Sequence, residues 1–191
     1  MKAGSIDKLS GEVESDEAWF GGDAKYMHQK VRDRRNVRPG RPKHKIAVMG
    51  LIERKGRVRA SVVKDTRLNT LMTYLKDNVE KGSNVYTDDA RHYRNIYHTY
   101  VHEVVNHSLL EYVRGHVHTQ SIENYWSLLK RTIKGTYVSV APEHLQAYVE
   151  EQSFRFNERK GTDLTRFLEM IKSVSGKRIT YKQLIGYETM A

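Results

Sequence analysis

The sequence predicts an α/β domain: a mixed five-stranded sheet flanked by helices, with further helices towards the C-terminus. Three observations carry that expectation. Apolar residues recur in an order that reads strand, strand, strand, helix, strand, helix, strand, helix. A content of 38% apolar residues in 191 is enough for one domain with a real core. Asp16 stands inside a strand pattern, where aspartate is disfavoured and a compensating role is called for.

Composition narrows the classes of function. No apolar run approaches the ~18 to 20 residues of a membrane span, and Met1 to Lys8 lacks the apolar block of a signal peptide. A cytoplasmic, nucleoid-associated protein is expected. Cysteine is absent, which excludes disulfides and thiolate zinc sites, so any metal must be held by oxygen or imidazole. A net charge of +10 and a pI near 9.7 favour a polyanionic partner, with nucleic acid first, because neutralising phosphates releases counterions.

Taken in order, Gly11 to Gly22 alternates and ends on glycine, which suits a strand. On it Glu12, Glu14 and Asp16 share one face, with Val13, Ser15 and Glu17 on the other. Asp16 fits metal ligation; an exposed edge strand carrying charges against aggregation is the competing reading. Lys45 to Glu53 is nearly continuous in apolar residues and predicts a central strand buried on both faces. Lys55-Gly56 turns the chain, and Arg57 to Asp65 returns as the third strand of an antiparallel meander. Leu68, Leu71, Met72, Leu75 and Val79 fall at helical spacing, with Gly82 beyond. A short strand, Asn84 to Thr87, delivers Asp88 and Asp89 at its end, where open α/β sheets place ligands; capping the next helix, Ala90 to Tyr97, is the alternative role for Asp89. Val101 to Asn106 reads as a fifth strand. His107, His116 and His118 are zinc ligands by type only, since no supporting spacing accompanies them.

The helix predicted over Thr119 to Arg131 has Thr119 at the N-cap and an apolar stripe of Ile122, Tyr125 or Trp126, Leu129 and Ile133. Glu123 and Lys130 lie two turns apart on a neighbouring face, so a carboxylate and an ammonium project the same way. Pro142 to Asn157 follows as a helix with Leu145, Tyr148, Val149, Gln152 and Phe156 on one side, and Asp163 to Lys172 as a shorter one.

Between Lys25 and Lys45 nine Lys or Arg residues stand against one acid, Asp33. Without apolar periodicity, and with Pro39, Gly40 and Pro42, this segment predicts a long loop that grips phosphates, through Arg34, Arg35, Arg38, Arg41 and Lys43. Arg38 to Lys43 is similar to half of an AT-hook, with Pro39 in place of its first arginine. Minor-groove insertion, plain backbone binding and a solvated charge run all remain open.

This element order is that of a ribonuclease-H-like core, with Asp16 on the first strand, Asp88 after the fourth and Glu123 on the helix after the fifth. The chain resembles the transposase domain of the ISXO-like insertion-sequence transposases, of the DDE class. The resemblance is carried by residues 13–22 (Val-Glu-Ser-Asp-Glu-Ala-Trp-Phe-Gly-Gly), 85–93, 105–108, 111–113 and 118–131, spread over most of positions 11 to 159. It implies that Asp16, Asp88 and Glu123 bind two Mg²⁺ or Mn²⁺ ions and that Lys130 is their catalytic companion; Lys130, Arg131 and Lys134 form a second candidate DNA-binding surface beside the basic segment. Some relatives carry Asn as the third ligand; here Asn124 adjoins Glu123, and the spacing to Lys130 selects Glu123. The implied activity is metal-dependent cleavage and strand transfer at insertion-sequence ends, by a homo-oligomer on double-stranded DNA from the transposon ends and the target.

Relatives usually carry a zinc-ribbon and helix-turn-helix portion ahead of the core. Here the expected organisation is a leader (1–10), a catalytic domain (11–160) with a basic loop insertion at 23–45, and a helical tail (161–191). A truncated or domesticated DNA-binding protein and a metal-dependent nuclease without strand transfer are the alternatives.

Overall fold

A computed structural model of the protein describes residues 7–21, 27–34, 45–88, 99–104, 118–137 and 140–184. Five strands form one sheet: β1 (Glu12–Phe20), β2 (Ile46–Glu53), β3 (Val58–Val63), β4 (Asn84–Thr87) and β5 (Val101–Val104), in the order β3-β2-β1-β4-β5. The first three pair antiparallel as a meander, and β4 and β5 join parallel on the other side of β1. β1 is therefore the central strand, which removes the reading of its acids as protection for an exposed edge.

Helices cover both faces. On one side Leu71 and Leu75 of α2 (Leu68–Asn78) pack with Leu9, Val79 and Tyr100 against Val13, Met49, Leu51 and Val85. On the other, α3 (Gln120–Arg131) and α4 (Leu145–Asn157) place Ile122, Tyr125, Trp126, Leu129, Leu145, Val149 and Phe156 against Ala18, Phe20, Val48, Ile52 and Val58. The period-two pattern of β1 thus splits it between two cores, and β2, buried on both faces, belongs to both. The outer strand β3 is closed off by α4: Asn157 bonds the Val58 N–H and carbonyl at 2.8 and 3.0 Å, and Gln146 accepts from the Val62 N–H at 2.8 Å. Such cover leaves that edge unavailable for further pairing.

Two expectations need correcting. The basic segment contains a short helix, α1 (Gln29–Arg34), where a continuous loop was expected. Gln-Lys-Val-Arg-Asp-Arg holds neither Gly nor Pro, and its straight-chain residues favour helix once breakers are absent. Thr119 sits at the N-cap of α3 but makes no side-chain capping bond; a carboxylate of β1 takes that role, as described below. The proposed contact residues Arg35, Arg38, Arg41 and Lys43, together with Asp89, the helix at 90–97, His107 and His116, lie outside the described residues, as does the side chain of Arg34.

Beyond α4 come α5 (Asp163–Val174) and α6 (Tyr181–Leu184). Thr162 caps α5 by accepting from the Thr165 N–H at 3.2 Å. Among the described residues no helix is long and apolar enough to cross a membrane.

Candidate active site

The acids of β1 divide along one face of the strand. Glu14 is fully buried, and its Oε2 accepts the backbone N–H groups of Ser121 and Ile122 at 2.8 and 3.0 Å. Those are first-turn donors of α3 without intrahelical partners, and a carboxylate there also meets the positive end of the helix dipole. Its other oxygen accepts from Arg54 Nε at 3.1 Å. His118 Nδ1 stands 3.3 Å from the same oxygen, close enough for charge attraction when the ring is protonated but not aligned as a hydrogen bond. Arg54 continues to the His118 carbonyl at 2.9 Å, to Glu12 at 3.3 Å, and stacks 4.2 Å above the Tyr86 ring. Sequence reasoning missed this assembly. The only local signal was an acid at an inward position of a strand; its partners on α3 are more than 100 residues away.

Two residues on, Asp16 opens into a cleft of about 360 Å³ that it lines with Glu123, Trp126, Ser127 and Lys130. Asp88 follows β4 directly, and the pairing of Thr87 with Ser15 brings it beside Asp16. The Asp16 carboxyl is pushed up to about 7, chiefly by burial and then by the negative charges of Asp88 and Glu17. Two donors work against that shift: the Glu17 N–H bonds Oδ1 at 2.7 Å and the Trp126 indole N–H bonds Oδ2 at 2.9 Å. Asp16, Glu123 and Lys130 thus share one cleft, with Asp88 coupled to Asp16 by charge.

The donor set consists of carboxylate oxygens, and around Asp16 negative charge is in excess. Type and charge both fit a hard divalent cation. Among the described residues no three His, Asp or Glu side chains stand close enough to form a ready-made metal cage. Glu123 lines the cleft and Asn124, which is exposed beside it, does not. Lys130, Arg131 and Lys134 are exposed along the end of α3 and the π-helical turn Thr132–Thr136 that extends it. His118 points its Nδ1 towards Glu14, 3.3 Å away.

A sequence profile described as the ISXO2-like transposase domain matches residues 8–157. An uncharacterized transposase-like protein of Haemophilus influenzae is 30% identical over 104 residues, covering 54% of this chain and 83% of that protein. Among solved structures, the catalytic core domain of BIV integrase superposes with a TM-score of 0.50 at 11% identity, over 87% of this chain and 97% of that one. The HTLV-2 integrase catalytic core domain, in complex with magnesium, gives 0.44 at 13% identity over 84% and 96%. At such identity the first of these bears on fold alone, and the fold it shares is the ribonuclease-H-like core.

Proposed function

The chain belongs to the ISXO2-like transposase domain family, and on that footing we propose that it cuts DNA strands at insertion-sequence ends and joins them to target DNA. The observation that carries this reading is the cleft in which Asp16, coupled to Asp88, meets Glu123 and Lys130. Asp16 and Asp88 would hold one divalent ion, Mg²⁺ or Mn²⁺, and Glu123 would complete the site of a second. When bound, such a pair supplies charge that sharpens an attacking oxygen and stabilises a leaving one.

The chain's own residues account for the rest. Lys130 holds a phosphate beside the scissile bond as a point charge. Arg131 and Lys134, next along the same exposed ridge, steer the duplex by its backbone, as do Arg34, Arg35, Arg38, Arg41 and Lys43 of the basic segment. On this reading the protein works at the nucleoid as a homo-oligomer that brings two DNA ends together. The test is a strand-transfer assay on labelled duplexes carrying the inverted repeats that flank the coding sequence, with Mg²⁺ or Mn²⁺. Cleavage followed by joining is the expected result. Cleavage without joining identifies a nuclease, and binding without either identifies a DNA-binding protein.

A further inference from the structure

We infer that Trp126 is a positioning residue for Asp16, acting through its indole N–H, and that Gly50 is the opening which lets the ring reach the carboxylate. The inference rests on the reading of Asp16 as a metal-binding group. Each oxygen of Asp16 accepts one N–H, from Glu17 at 2.7 Å and from Trp126 at 2.9 Å. Rotation about the Cβ–Cγ bond would break both bonds, so the pair fixes the carboxylate plane and leaves a lone pair on each oxygen for a ligand. Asp88 and Glu17 add negative charge beside this carboxylate, and the two N–H donors act against that repulsion.

The ring is built in. Trp126 is 4% exposed, with its ring centroid 5.1 Å from that of Tyr125 and 6.2 Å from that of Phe20. Gly50 is the cross-strand partner of Asp16. A Cβ at Gly50 would lie 2.6 and 2.7 Å from Cζ2 and Cη2 of Trp126 and 2.9 Å from Cδ1 of Ile122. Gly50 has ordinary strand backbone, so space rather than conformation calls for glycine there. A glycine inside a central strand weakens it, which fits a site of close approach. Simple packing would be served by any large apolar ring; the aim of the N–H at Oδ2 is what packing leaves unexplained.

The chain has two tryptophans, so in a Trp19→Phe protein position 126 can be filled with 3-(3-benzothienyl)alanine, which keeps the ring shape and replaces the N–H by sulfur. The measurements are Mn²⁺ affinity, from the electron paramagnetic resonance of the free ion, and thermal unfolding. In the parent Trp19→Phe protein, Mn²⁺ should bind and quench the remaining indole fluorescence. In the benzothienyl protein the unfolding temperature should hold while the Mn²⁺ Kd rises roughly 10- to 100-fold, the usual cost of losing a group that orients a ligand. Trp126→Phe and Gly50→Ala should weaken Mn²⁺ binding in the same direction. An unchanged Kd in the folded benzothienyl protein overturns the inference and leaves the functional reading standing. Absence of Mn²⁺ binding by the parent overturns both.

Discussion

Glu14 and Asp16 lie two residues apart on the same face of β1, and their surroundings differ in kind. Glu14 is matched by two helix N–H groups, Arg54 and the nearby His118. Asp16 has two N–H donors, but burial and the negative charges of Asp88 and Glu17 disfavour its ionised form, and among the described residues no cation is paired with it as Arg54 is with Glu14. The first arrangement completes a fold; the second is the one at which we propose that a divalent ion binds. A buried carboxylate is therefore not informative by residue type. What distinguishes a structural from a functional acid is whether the charges around it balance.

The largest expected effect is at Glu14. Glu14→Ala leaves two N–H groups of α3 without their acceptor inside the protein and takes from Arg54 its buried partner, though Arg54 keeps the His118 carbonyl and Glu12; breaking such a buried pair costs about 3–5 kcal/mol. Against a total of about 5–15 kcal/mol for a domain, urea denaturation should show a severely weakened or unfolded protein. Glu14→Gln, which keeps an acceptor for the helix, should lose less.

Asp16 should make the stability of the protein depend on pH. Its carboxyl titrates at about 7 in the folded protein, against 3.8 without those surroundings. Between these values the folded state keeps a proton that the unfolded chain has released, so stability falls as pH rises from about 4 to about 7 and stays low above. A gap of about three units corresponds to at most about 4 kcal/mol, and solvent in the cleft reduces it. The measurement is the difference in unfolding free energy between wild type and Asp16→Ala across that range. Saturating Mg²⁺ above pH 7 should restore stability to wild type by mass action, and not to the variant.

Glu12, the third acid on this face, sharpens the comparison from the exposed end. Its side chain is 44% exposed, and its ion pair with Arg54 spans 3.3 Å. Glu12→Gln should therefore cost less than about 1 kcal/mol in the same denaturation experiment.

The distinction extends to the cations. Arg54 is consumed by the fold, whereas the basic segment's charges are expected to meet DNA. Neutralising Arg34, Arg35, Arg38 and Arg41 should move stability by only about 0.5 kcal/mol. It should flatten the plot of log K against log salt by roughly 0.9 for each phosphate that the protein no longer neutralises. An unchanged slope would shift the DNA-binding surface to Lys130, Arg131 and Lys134.

Much of this fold was legible because local pattern and tertiary role agree. The continuous apolar run of β2, the alternation of β1 and the helical spacing of Leu71, Leu75 and Val79 each follow from burial on known faces. The cleft was legible through Glu123 and Lys130, two turns apart on one helix. What escaped was set by contacts across the chain: Glu14 with Ser121, Asp16 with Trp126, Gly50 with the same ring. Thr119 looked like the cap of α3 because capping is normally local, and the distant Glu14 supplies it instead. In the basic segment, six residues with no breaker formed a helix inside a stretch whose prolines and glycine lie farther along.

The most direct test of the contrast between the two carboxylates compares Asp16→Ala with Glu14→Gln in Mn²⁺-dependent cleavage of inverted-repeat DNA, each rate divided by the folded fraction from circular dichroism. The account predicts that Asp16→Ala is folded and inactive, while Glu14→Gln is less stable and cuts at near wild-type rate per folded molecule. Cleavage retained by folded Asp16→Ala would contradict it.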